Sequence, residues 1–172
     1  LLAGREQGMT ALLYYVFTYA LTALGAFAVV TVVQEQTGAE HLSAFAGLAR
    51  RAPLVAICMM VFMLSLAGIP PLAGFFGKFY VFTSTVKAEP RNLGLLWLVV
   101  FALAMSTVSL YYYVQVLKQI FVAEPAPQVP TLRASPLSRA VIGLLALAVL
   151  LVGCFPQALL GHLADALRAA RF

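Results

Sequence analysis

The sequence predicts an all-α, polytopic membrane helix bundle with about five transmembrane segments, one of them short or broken, and a C-terminal amphipathic helix. Composition is the first observation: 63% of the 172 residues are hydrophobic, only 10% are charged, and the mean hydropathy is +0.97. A soluble domain averages about 45–50% apolar and about 25% charged. Second, the apolar residues come in runs that approach the ~20 residues needed to cross a bilayer core. Third, no run alternates at period two over the length of a barrel strand. Helices satisfy their own backbone groups, as lipid demands.

The elements follow in order. Thr10 to Val33 is free of charge and forms the first span. The second runs from Pro53 to about Ile69, with Pro53 in the first turn, where its missing N–H costs least. The third starts after Pro70-Pro71 and continues to about Val86; it is short and contains Lys78. The fourth covers Leu93 to about Leu117, and the fifth about Leu137 to Phe155, closed by Pro156. The Pro-rich stretch VAEPAPQVPTLRASP between them belongs outside the membrane. Residues 1–156 therefore read as a bundle and 157–172 as a separate tail. In that tail Leu159, Leu163, Leu167 and Ala170 face one way, and His162, Asp165, Arg168 and Arg171 the other. Such a helix lies along an interface, against a partner subunit, or simply in solvent. The opening LLAG reads as the end of an earlier helix, which suggests a C-terminal piece of a longer protein.

Composition also excludes functions. The net charge of +5 is scattered through loops, with one Arg pair, and makes no nucleic-acid surface. Cys58 and Cys154 read as small buried hydrophobes inside apolar segments. No cysteine pair has metal-ligand spacing, and His41 and His162 fall outside the apolar runs. A redox cofactor or metal held by this chain is not expected. Alternating the loops puts Arg5, Lys118, Arg133 and Arg139 on one side, and Arg50, Arg51, Lys87, Arg91, Arg168 and Arg171 on the other, a weak bias for orientation.

Lys78 carries the chemistry. It is the only ionisable side chain well inside an apolar segment, where a lysine costs roughly 2.5–3.5 kcal/mol to insert. It must therefore face water or a partner. An amine balanced between desolvation and a nearby carboxylate takes up and releases protons near neutral pH. Snorkelling is the competing reading, since Lys78 lies only about 10 Å of helix beyond Pro71. Its neighbours favour the functional one. SLAGIPPLAGFFGK sets Gly68, Pro70, Pro71, Gly74 and Gly77 around a helix break, and Gly/Pro-interrupted short helices mark ion sites in transporters. An ordinary tight turn explains part of the motif but not the charge. Hydroxyl stripes supply hydration or merely glue helices together: Tyr15, Thr18, Tyr19 and Thr22 on the first span, Ser106, Ser109 and Tyr113 on the fourth, and Thr85 two turns beyond Lys78. Tyr111 and Tyr112 read as an interfacial aromatic belt.

At these residues the chain becomes recognisable. HLSAFAGLARRAPLVAICMMVFMLSLAGIPPLAGFFGKFYVF, with YALTALGAFAVV upstream and SLYYYVQVLKQIF downstream, resembles the antiporter-like membrane subunits of respiratory complex I, the proton-pumping NADH:quinone oxidoreductase. GIPPLAGF is shared with Mrp-type cation/proton antiporters, whereas the Lys followed by FYVF and the LYYY stretch is most similar to the N-type chains. The resemblance implies a fourteen-helix protein whose last five helices are present. It implies a discontinuous helix over Phe75 to Val86 with Lys78 in the proton path, linked by water to upstream groups absent from this sequence. It implies other complex I membrane subunits and lipid as partners, a bacterial inner membrane, and termini on the periplasmic side. NADH, flavin, iron–sulfur clusters and quinone would belong to the rest of the complex, and the chain would be a non-redox subunit of a translocase. A charge moved across about 100 mV costs about 2.3 kcal/mol, which a shift of about two pKa units supplies. An Mrp-type antiporter or membrane-bound hydrogenase subunit, or a purely structural anchor, are the alternatives.

Overall fold

A computed structural model describes residues 2–39, 41–88, 91–124 and 134–170, with side chains from residue 6 onward. Its helices are α1 (Leu2–Thr37), α2 (Leu48–Arg51), α3 (Pro53–Ala67), α4 (Ala73–Ala88), α5 (Leu93–Phe121), α6 (Pro136–Cys154) and α7 (Pro156–Ala169), with a 3-10 turn at Leu42–Phe45. Among the described residues there is no strand. Most of the Pro-rich linker, Arg133, Arg171 and Phe172 lie outside them. The opening LAG runs without a break into the rest of α1.

Local chemistry sets the boundaries. The Asn92 side chain accepts from the Gly94 and Leu95 N–H groups to start α5, and the Ser135 hydroxyl accepts from Ser138 N–H to start α6. Pro53 and Pro136 occupy the first helical turns. Pro156 ends α6 by forcing Phe155 out of the helical region, to φ −124° and ψ 59°, and opens α7.

Among the described residues, three helices are long and apolar enough to cross a membrane: α1 over Glu6–Thr37, α5 and α6. The 15 residues of α3 make about 22 Å of helix and the 16 of α4 about 24 Å, each short of a ~30 Å hydrocarbon core. The structure resolves this shortfall by placing them end to end. Along α1, Gly25 faces the Phe62 ring, Thr22 meets Ser65, Thr18 and Tyr15 meet Gly77, and Tyr14 packs edge-on against Tyr80. Partner numbers rise steadily as α1 is descended, through α3 and straight on into α4. Both halves therefore run antiparallel to one continuous helix. The second and third apolar segments together form one discontinuous crossing; α4 itself is uninterrupted from Ala73 to Ala88.

This arrangement regroups the loops. Gly47 N–H donates to the Gln119 carbonyl, and Arg51, Ala134 and Arg139 line one pocket. Arg50, Arg51, Lys118 and Arg139 therefore share an end that the alternating count had divided. Lys87, Arg168 and Glu6 line a cavity at the other end.

Fully buried Val29, Val33, Leu48, Val55, Phe62, Ile120, Ile142 and Val149 form the core between α1, α3 and α6. By contrast α5 buries only Val99 and Ile120, and leaves Trp97 72% and Leu93 72% exposed. Tyr111 and Tyr112 also point outward. Cys58 is buried as expected, but Cys154 is exposed at the end of α6. An apolar side chain there suits lipid as well as a core, so apolarity did not reveal its face. The tail helix half-buries Leu159, Leu163 and Leu167, exposes Ala170, and ties Arg168 to Glu6 of α1 at 2.7 Å.

At the break, Ser65 is fully buried and its hydroxyl accepts from Gly74 N–H at 3.1 Å. It thus satisfies an orphan donor in the first turn of α4. Thr22 gives its hydrogen to the Thr18 carbonyl at 2.7 Å, so Ser65 donates to Thr22 Oγ1 across 3.3 Å. Ser65→Ala is expected to destabilise the bundle by about 1–3 kcal/mol, because it strands the buried N–H. Thermal exposure of Cys58 to a thiol reagent in detergent, followed by mass spectrometry, measures it; unchanged protection would count against the role.

Candidate functional site

The site starts from how α3 ends. Gly68 adopts φ +81°, a left-handed conformation open to glycine. Gly68 N–H then donates to the Ser65 carbonyl and Ile69 N–H to the Leu64 carbonyl, both at 3.0 Å. This is a Schellman cap, and it satisfies the Leu64 and Ser65 carbonyls while the Leu66 carbonyl still points past the helix end. Lys78 fills that position. Its Nζ donates to the Leu66 carbonyl at 2.9 Å and to Ser106 Oγ on α5 at 2.7 Å. The aliphatic stem passes over Gly68, where a Cβ would lie 3.3 Å from Lys78 Cδ. The carbonyl end of α3 is the negative end of its dipole, which attracts an ammonium by about 0.3–2 kcal/mol.

Lys78 therefore turns into the bundle, not out toward the interface. It sits between two cavities. The first, about 370 Å³, is lined by Tyr15, Thr18, Tyr19, Thr22, Ser65, Ser109 and Tyr113 among others. The second, about 380 Å³, is lined by Gly68, Phe75, Phe79, Thr83, Leu103 and Thr107 among others. Lys78, Phe82 and Ser106 line both. Because Ser106 accepts from the ammonium, its own hydrogen can be donated elsewhere. Cavities of this size have room for several waters. No carboxylate among the described residues lines either one.

The structure gathers Thr18, Thr22, Ser106, Ser109 and Tyr113 around the first cavity with Lys78. It does not bring Thr85 there. Two turns of α4 carry Thr85 beyond both cavities, and its hydroxyl returns to the Val81 carbonyl at 2.8 Å. Gly74 and Gly77 allow close approach to Ser65 and to α1, while Pro70 and Pro71 sit at the surface of the break. Sequence reading missed Ser65, Thr83, Thr107 and the Leu66 carbonyl. A lone serine within VFMLSLAG was the available signal for the first; nothing local marks a backbone carbonyl. Outside the spans, the hydrogen bond that Arg168 donates to the Glu6 carboxylate raises the Arg168 pKa above its ordinary value.

Residues 1–109 match the transmembrane family described as NADH:quinone oxidoreductase/Mrp antiporter. The chain belongs to this family. Over 93% of its length it is 48% identical to NADH-quinone oxidoreductase subunit N 2 of Acidobacterium capsulatum, covering 32% of that protein. It is 40% identical over 96% of its length to subunit N 1 of Roseiflexus castenholzii, covering 30% of it. The chain thus spans about a third of these relatives. Among solved structures, a chain of respiratory complex I from Thermus thermophilus with bound aureothin superposes with TM-score 0.71 at 32% identity, over 86% of this chain and 34% of that one. A chain of the Mrp complex from a Dietzia strain superposes with TM-score 0.78 at 22% identity, over 94% and 37%, and shares the fold.

Proposed function

We propose that this chain is part of the N subunit of a proton-translocating NADH:quinone oxidoreductase, and that Lys78 passes protons between the two cavities it separates. The observation that carries the proposal is the ammonium held by the Leu66 carbonyl at a helix break and by Ser106, with water-sized space on both sides. Loaded from the first cavity, Lys78 carries one proton. Released into the second, it becomes a neutral amine that the helix end and hydroxyl dipoles still hold in place. Charge shifts in neighbouring subunits would bias the two states electrostatically, so no covalent chemistry is needed at this site.

The reading brings other complex I membrane subunits and lipid as partners, in the inner membrane of a bacterium. The redox groups (NADH, flavin, iron–sulfur clusters, quinone) belong to other subunits. The relatives at 40–48% identity favour this over an Mrp-type antiporter, for which the joint family description and the shared fold speak. The test is proton translocation by the intact complex in proteoliposomes with Lys78 replaced. Assembled complex that pumps at the normal rate without this amine would leave the chain a structural anchor.

A further inference from the structure

A third cavity of about 540 Å³ lies between the N-terminal half of α1, the C-terminal half of α4, and α7. Its polar lining includes Glu6, Thr10, Tyr80, Thr83, Lys87 and Arg168. Thr83 also lines the second cavity at Lys78. Its α4 neighbours are occupied elsewhere, because Ser84 and Thr85 both return their hydroxyls to the Val81 carbonyl. Thr83 stands in the shared wall of the two spaces. At the far side Arg168 Nε donates to Glu6 Oε1 at 2.7 Å, with the Glu6 side chain 23% and the Arg168 side chain 67% exposed. That ion pair ties α7 to α1 beside a carboxylate that both the cavity and the surface reach.

We infer that protons leave Lys78 past Thr83 into this vestibule and exchange with the surrounding water at Glu6. The inference rests on the transfer role proposed for Lys78 and adds the side of exit and the residues along it. Lys78 gives up one N–H proton to water hydrogen-bonded at Thr83. The excess proton moves to the Glu6 carboxylate, whose bond to Arg168 yields, and Glu6 releases it to bulk. Lys78, left neutral, is recharged from the first cavity. The α7 helix would thus form one wall of the exit, through Gln157, Leu160, Gly161, Ala164 and Arg168.

The test uses the complete complex in oriented vesicles, with Cys154→Ser to remove the exposed thiol. Thr83→Cys should react with a membrane-impermeant, charged thiol reagent added on the α7 side, and the adduct should slow proton translocation about fivefold, the order of one lost hydrogen bond. Thr85→Cys, outside the cavities, should show no such loss. If Thr83→Cys fails to assemble, Glu6→Gln carries the test, with a similar slowing expected. A Thr83→Cys that is unreactive from that side, or reacts without slowing, or a Glu6→Gln that pumps normally, overturns the exit route. Lys78→Ala in the same vesicles separates the failures: translocation stopped by Lys78→Ala but indifferent to Thr83 and Glu6 removes only the route. Normal pumping by Lys78→Ala removes the transfer role on which it stands.

Discussion

Lys78→Ala is expected to lower proton translocation by at least about tenfold while the complex still assembles. Positioned proton-transfer groups contribute about 10²–10⁴-fold in rate, and water alone would bridge only part of the gap left between the two cavities. The decisive companion is Lys78→Arg. A guanidinium keeps the positive charge and retains donors for the Leu66 carbonyl and Ser106. It holds its proton far too tightly to release it near neutral pH. A structural cation tolerates this exchange; a relay does not. Both variants should therefore pump poorly, read by proton uptake in proteoliposomes alongside native-gel assembly. Full activity in Lys78→Arg would reduce Lys78 to an electrostatic tie.

The largest stability effect is expected at Gly74. A Cβ there would collide with the Ser65 carbonyl, because the first turn of α4 is drawn against the end of α3 by the Ser65–Gly74 hydrogen bond. Backbone faces backbone at this contact, so no flexible side chain can yield. Forcing in one methyl typically costs about 1–3 kcal/mol, and Gly74→Ala would also loosen the bond at Ser65 and move Lys78 relative to the Leu66 carbonyl. Lower assembly yield and a thermal midpoint several degrees below the parent are expected. Gly143→Ala is the control, since nothing lies within 4 Å of its Cβ position, and alanine favours helix by about 0.8–1 kcal/mol. Equal stability of the two variants would mean the junction is looser than its geometry implies.

The segments, the break and the charged residue were legible because each is a local property. A run of apolar residues, paired prolines and a lone lysine act through a few neighbouring bonds. Glycine 68 likewise announced itself within the motif GIPPLAGF. The direction of the chain after the break was not local. A Pro-Pro turn permits either a hairpin or a collinear restart, and the stepwise pairing with α1 selects the second. That choice decides which loops share a side and where the hydroxyls fall.

Faces were equally hidden. In water, an apolar stripe identifies the buried side of a helix; in lipid, both sides are apolar and packing depends on small residues and scattered hydroxyls. Cys154 and Cys58 therefore look alike in sequence and face opposite ways in the fold. Thr83 and Thr85 are separated by one residue, yet only Thr83 lines the cavities. The sequence by itself determined a helical membrane bundle interrupted beside one lysine. Only the tertiary structure decided that this lysine ends on the carbonyl its own helix break leaves exposed, because that bond depends on where two half-helices meet.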